Sequence, residues 1–239
     1  MELDVHLVPP GGGEVLNETE GRWTEILCDS DALVVSLFRR AGGLDGPELH
    51  VHRTHTDAFV VLEGTLVVPL GPQGEPEQVP AGSVAVAPPL VAHGFRMDEG
   101  DVTLLNVHAP GAGFAEYMRD TIKSFDQEDP PADARPRTDA VVGAGRLLVE
   151  RPGLRVVLLA DTPQLTLSEV RSAPGPVEAS PDAGERHSGF YVLEGELGLR
   201  TAGRELVAEG GAWISLPAGV PRELEVRSDA RYLHFRVPA

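Results

Sequence analysis

The segment Phe59-Val60-Val61-Leu62-Glu63-Gly64 returns 131 positions later as Phe190-Tyr191-Val192-Leu193-Glu194-Gly195. Gly82 and Pro88 return as Gly211 and Pro217 at an offset of 129, which places a hairpin shorter by two residues in the second copy. Leu104-Leu105-Asn106-Val107-His108-Ala109-Pro110 is matched by Tyr232-Leu233-His234-Phe235-Arg236-Val237-Pro238. A repeat of about 110 residues is a domain, far longer than the unit of a solenoid. Whatever fold this chain adopts, it adopts it twice.

The repeated unit is all-β. Runs such as Ala32 to Arg39, Thr65 to Leu70, Ser83 to Ala87 and Val102 to His108 are rich in β-formers and short. Turns carrying Gly and Pro separate them, and the chain holds 27 Gly and 21 Pro in 239 residues. Trp23 to Cys28 and His93 to Met97 read as further strands, and residues 1 to 22 as an extended arm broken at Pro9-Pro10-Gly11-Gly12-Gly13. Short strands at regular spacing suggest a sandwich or a small barrel. Phe114, Tyr117, Met118, Ile122 and Phe125 recur at helical spacing and predict one amphipathic helix. Gln127 to Arg137, acidic and Pro-rich, reads as a linker. The expected division is an N-terminal barrel over 1–113, a helix and linker over 114–139, and a C-terminal barrel over 140–239.

A net charge of −17 excludes a broad phosphate-binding surface, so neither nucleic acid nor an anionic membrane is an expected partner. Cys28 is the only cysteine, which leaves no intrachain disulfide and no thiolate metal site. The N-terminus lacks a basic and an apolar region of signal-peptide type, and no apolar run reaches membrane-spanning length. A soluble, cytoplasmic chain, monomeric or a homodimer, is the expectation.

Chemistry concentrates in His50-Val51-His52-Arg53-Thr54-His55-Thr56-Asp57. On a strand, His50 and His52 point to the same side, and two adjacent imidazoles begin a metal site. The spacing His50-x-His52, four residues, Asp57, six residues, Gly64 resembles the first motif of the cupin superfamily. Gly82, five residues, Pro88, then His93 resembles the second. Together with the duplication, these motifs resemble a bicupin, with similarity to quercetin 2,3-dioxygenase. The resemblance implies two tandem jelly-roll β-barrels, each around a cavity.

It also implies a metal held by His50, His52, Asp57 and His93. Asp57 stands where the family has Glu, Leu90 where it has Gly, and Met97 where it has Asn. Asp57 is one methylene shorter than Glu, so His55, off the family spacing, is the alternative fourth ligand or a supporting residue. Imidazole and carboxylate suit a divalent transition metal: Fe, Ni, Mn, Zn or Cu. In the second copy Ser188 matches Asp57 and Arg222 matches His93. The two His positions fall on Ala179 and Pro181, or on Pro181 and Ala183. The expected metal site there is degenerate.

Two functions follow, with an isomerase or decarboxylase of the same superfamily as a third option. The first is a metal-dependent dioxygenase acting on a small, weakly polar organic substrate, with Asp57 as ligand and general base. Its cavity would be lined by Phe59, Val61, Val84, Val86 and Phe95. The second is a non-catalytic module binding a small molecule or a metal.

Overall fold

The computed structural model describes residues 4–177, 185–201 and 203–239. By contacts the chain divides into two units, Glu14–Gly145, and Met1–Gly13 with Arg146–Ala239. The first strand, β1 (His6–Val8), belongs to the latter.

The Glu14–Gly145 unit contains β2 (Glu14–Thr19), β3 (Arg22–Asp29), β4 (Val34–Arg40), β5 (Thr56–Glu63), β6 (Thr65–Leu70), β7 (Glu75–Pro80), β8 (Val84–Ala87), β9 (Val102–Ala109), α1 (Phe114–Met118) and β10 (Val141–Gly143). Seven strands form one antiparallel sheet in the order β10-β8-β5-β9-β4-β3-β2, and β6 pairs with β7. Strands β4, β5 and β9 are buried nearly throughout, which explains their continuous apolar reading. Phe59, Val61, Leu66, Val68 and Leu104 form the heart of the core.

The second unit holds β11 (Arg146–Arg151), β12 (Leu154–Asp161), β13 (Thr166–Ser172), β14 (Gly175–Pro176), β15 (Arg186–Glu194), β16 (Glu196–Thr201), β17 (Arg204–Glu209), β18 (Trp213–Leu216), β19 (Arg222–Val226) and β20 (Ala230–Pro238). Its large sheet runs β1-β18-β15-β20-β13-β12-β11, and a smaller one runs β14-β19-β16-β17. The two seven-stranded sheets have the same order when β5 is laid on β15 and β9 on β20. Gly64 and Gly195 close equivalent turns at φ +78 and +80. A Cβ on either would run into a carbonyl oxygen, of Asp101 and Asp229 respectively, so the glycine of the repeated Glu-Gly pair is a backbone requirement.

Several expectations are corrected. The strands form separate sheets in each unit and do not close into barrels. Residues on either side of the Pro9-to-Gly13 break go to different units, because β1 pairs with β18 while β2 pairs with β3. Residues 114–145 fall within the first unit, and β10 pairs with β8. The helix stops at Met118: Asp120 turns to φ 57, which bends the chain and leaves Ile122 exposed. Phe125 nevertheless returns onto Phe114 and Tyr117, so the apolar spacing records packing without a continuous helix. Residues 93–97 make isolated bridges, His50 to His93 and Val67 to Arg96 among them, instead of a strand. Gln127 to Arg137 is pinned by bridges from Val51 to Glu128 and from Val91 to Arg135. Among the described residues no helix is long and apolar enough to cross a membrane.

Candidate metal centre

Reciprocal backbone bonds, His50 N–H to the His93 carbonyl and His93 N–H to the His50 carbonyl, tie the two motifs together. The Leu90 N–H donates to the His52 carbonyl at 2.7 Å. Leu90 sits at φ 68, a left-handed conformation that its side chain disfavours. The His50 and His52 rings stand 4.9 Å apart and share one cluster, so the alternation expected for them holds although only isolated bridges form there.

His50, His52, Asp57 and His93 are all buried, and one ligand atom from each lies within 4.8 Å of every other. Asp57 Oδ2 is 3.2 Å from His93 Nε2 and 3.7 Å from His52 Nε2. Two donors bound to one first-row ion at right angles stand roughly 3 Å apart, so these separations are those of a ligand cage.

The outer ring nitrogens are occupied. Nδ1 of His50 donates to the Glu48 carbonyl at 2.6 Å, that of His93 to the Val91 carbonyl at 2.9 Å, and that of His52 to the Asp126 carbonyl. Only an N–H can face a carbonyl, so each Nε2 presents its lone pair inward when the ring is neutral. Desolvation, reinforced by His93, pushes His50 down to about 3 and keeps it neutral at ordinary pH. His52 Nε2 is buried with no hydrogen-bond partner, an orphan that a cation would satisfy. The donor set and this orphan fit a divalent transition metal, and neither selects which one.

Asp57 reaches the cluster despite being the shorter acid. Asn106 Nδ2 donates to its Oδ1 at 2.6 Å, which aims Oδ2 at the histidines. Burial alone would raise the Asp57 carboxyl; the charge of His108 and hydrogen bonds from His52 and His93, when those rings carry a proton toward it, outweigh burial and hold the group well below its usual range.

His55 is not one of the four converging groups. It is fully buried and belongs to a row of close polar contacts: Asp126 Oδ2 to His55 Nδ1 at 3.1 Å, His55 Nε2 to His108 Nδ1 at 2.9 Å, and His108 Nε2 to Asn106 Oδ1 at 3.0 Å. Desolvation, then the charge of His52, lowers His55 to about 4. His52, His55 and His108 also come within 4.8 Å of one another. Sequence reasoning missed Asn106, His108 and Asp126. The first two left a signal, since polar residues two apart on the apolar strand β9 must share a face. Asp126 left none.

Beside the cluster lies a cavity of about 340 Å³, bounded by His50, His52 and Asp57 on one side and by Phe38, Phe95, Phe114, Tyr117, Met118 and Phe125 elsewhere. Of the five lining residues expected from sequence, only Phe95 faces it. Phe59 and Val61 are spent in the core instead, and Val84 and Val86 are buried without reaching the cavity.

In the second unit Ser188 occupies the register of Asp57, paired with Leu216 and Arg236 as Asp57 is with Ala87 and His108. Arg222 Nη2 approaches Ser188 Oγ at 3.5 Å, and His234 Nε2 lies 3.4 Å from the same oxygen. Ala179, Pro181 and Ala183 lie outside the described residues. No comparable His/carboxylate cluster occurs among the described residues of this unit.

Residues 37–108 match the family described as Cupin domain. No curated protein matches the chain. Among solved structures, a point mutant of oxalate decarboxylase from Bacillus subtilis superposes with a TM-score of 0.67 at 13% identity, covering 100% of this chain and 78% of that one. Protein Ylba from E. coli gives 0.70 at 14% identity, covering 99% and 92%. Bacterial pirin YhhW from Escherichia coli, in complex with nickel(II), gives 0.66 at 15% identity, covering 98% and 99%. Identities this low establish a shared fold and leave function to the site.

Proposed function

We propose that the chain is a duplicated cupin whose Glu14–Gly145 unit is a metal-dependent, dioxygenase-like enzyme for a small organic substrate. The observation that carries this reading is the convergence of three imidazoles and Asp57, of which His50, His52 and Asp57 also line an aromatic cavity. His50, His52, His93 and Asp57 would hold the ion, which supplies a Lewis acid for a substrate oxygen. The backbone carbonyls of Glu48, Val91 and Asp126 keep the three rings aimed inward. Asn106 fixes Asp57 Oδ1, leaving Oδ2 to ligate or to accept a substrate proton. The aromatic walls exclude water and orient the substrate. The matching strand order of the two large sheets supports the duplication.

The test begins with elemental analysis of protein purified without a histidine tag. The expected result is one divalent transition metal per chain, lost in His93→Ala. Oxygen uptake with flavonols and diketones is then measured before and after chelation. Protein that binds no metal, or a His93→Ala variant that keeps its metal, would refute the centre. Bound metal without turnover of any of these substrates would refute the dioxygenase chemistry and leave a binding module.

A further inference from the structure

Arg22 on β3 and Arg40 on β4 are direct cross-strand partners, and both line the cavity beside the metal cluster. Like charges directly opposite each other on paired strands are destabilising. In an acidic chain, with 37 Asp and Glu against 20 Lys and Arg, carboxylates to neutralise them are plentiful. The same unit uses them elsewhere: Arg53 pairs with Glu128, Arg96 with Asp98, Arg119 with Glu14 and Asp29, Arg135 with Asp139, and Arg137 with Glu77. Arg22 and Arg40 have no carboxylate within ion-pair distance among the described residues. Arg22 Nη2 donates to the Asp45 carbonyl.

Arg40 is only 8% exposed. Its guanidinium lies over the Phe38 ring, 4.2 Å from the centroid. Nη1 donates to the carbonyls of Trp23 and Arg39, and Nη2 to Thr24 Oγ1 at 2.8 Å. These three bonds leave the Nε–H and one Nη2–H of the five donors without an acceptor among the described residues. A buried cation with neutral acceptors only, opposite a second cation, costs stability unless something else neutralises it. Desolvation, then repulsion from Arg22, lowers Arg40 to about 10, in keeping with the lack of a counter-charge.

We propose that this pair is the anion subsite of the cavity, and that the substrate is an aromatic or similarly apolar carboxylate seated on Arg40 and Arg22. A guanidinium offers planar paired donors to a carboxylate. The aromatic walls would take the apolar body, whose other end faces the metal cluster. This revises the weakly polar substrate expected from sequence. It rests on the reading of the cavity as a substrate site, but not on the presence of a metal.

The test is fluorine NMR titration of the full chain with para-fluorobenzoate, para-fluorobenzamide and para-fluorophenyl phosphate, on chelator-treated and on metal-loaded protein. The benzoate is expected to bind chelator-treated wild type about tenfold more tightly than the amide. Arg40→Gln is expected to remove that preference while amide binding stays unchanged. Arg22→Gln, at an exposed side chain that leaves the core intact, should narrow the preference even if Arg40→Gln fails to fold. Equal affinities for benzoate and amide, or a preference surviving Arg22→Gln and Arg40→Gln undiminished, would overturn the subsite. A preference seen only with metal loaded would place the carboxylate on the ion and also overturn it. Phosphate binding as tight as benzoate would overturn the substrate class. If no metal binds but the preference is present, the metal reading fails and the subsite stands.

Discussion

Replacing Asp126 by Ala should damage a metal centre that this residue never enters. Asp126 follows α1, far in sequence from the ligands, yet its carboxylate gathers four donors: Arg53 N at 3.0 Å, Thr54 N at 2.7 Å, Thr54 Oγ1 at 2.5 Å and His55 Nδ1 at 3.1 Å. Its own carbonyl receives His52 Nδ1. One residue therefore shapes the 53–55 loop and sets the tautomer of a ligand. Burial alone would raise its carboxyl; the bonds from Thr54 and Arg53 outweigh that and bring it down to about 2 from an ordinary 3.8. That difference corresponds to roughly 2.5 kcal/mol of preference for the ionised form. The carboxylate keeps solvent contact, which reduces the stabilisation to about 1–2 kcal/mol. Asp126→Ala should lower the unfolding free energy of metal-free protein by that amount at neutral pH. The group's contribution is complete above pH 4 and fades only as pH falls toward 2, so the loss should not vary between pH 8 and 5. Metal affinity should fall, by up to about 10–100-fold, because the residue-126 carbonyl that holds His52 Nδ1 survives the substitution but loses the side-chain bonds that seat it. Competition against a chelating dye measures the affinity, and urea unfolding the stability. A variant with wild-type affinity within twofold would show that the ring of His52 needs no help from this loop.

Three further outcomes follow from the same geometry. Asp57→Glu should lower the melting temperature and leave metal binding no tighter, because Asp57 already reaches the histidines and one more methylene in a site 4% exposed costs about 1–3 kcal/mol; a gain in affinity by calorimetry would show that the native acid is too short. Metal-free protein should lose stability on acidification: His50 and His55, lowered to about 3 and about 4, stay neutral in the fold while the unfolded chain takes up protons below pH 6.5. At pH 5 the loss is roughly 2 kcal/mol for each, and hydrogen exchange of β5 and β9 amides that is equally protected at pH 7 and 5 would contradict it. Gly64→Ala and Gly195→Ala should each cost at least about 2 kcal/mol, since both meet a carbonyl at positive φ; denaturant unfolding in which either is silent would remove the equivalence of the two turns.

Periodicity and punctuation are local properties, and they were legible. The β-rich runs, the glycines at turns and the Phe59-to-Gly64 repeat follow from what a pleated, buried strand needs. The convergence of His50, His52, Asp57 and His93 was readable because a two-residue step fixes sidedness and motif spacing stands in for the missing distance. The helix past Met118 was misread because an apolar spacing of three and four also describes residues that fold back on each other, as Phe125 does on Phe114.

From the amino-acid order alone came the all-β class, the repeated strand segment and the four side chains that lie close together in the Glu14–Gly145 unit. Only the tertiary structure decided that Asp126 orients His52, that Asn106 aims Asp57, and that Arg22 stands opposite Arg40 with no carboxylate of the described residues within ion-pair distance. These are matters of register and of chain return across distant segments. A backbone carbonyl used as an acceptor carries no residue signature, and an arginine's lack of a carboxylate partner becomes visible only when its neighbours are in place.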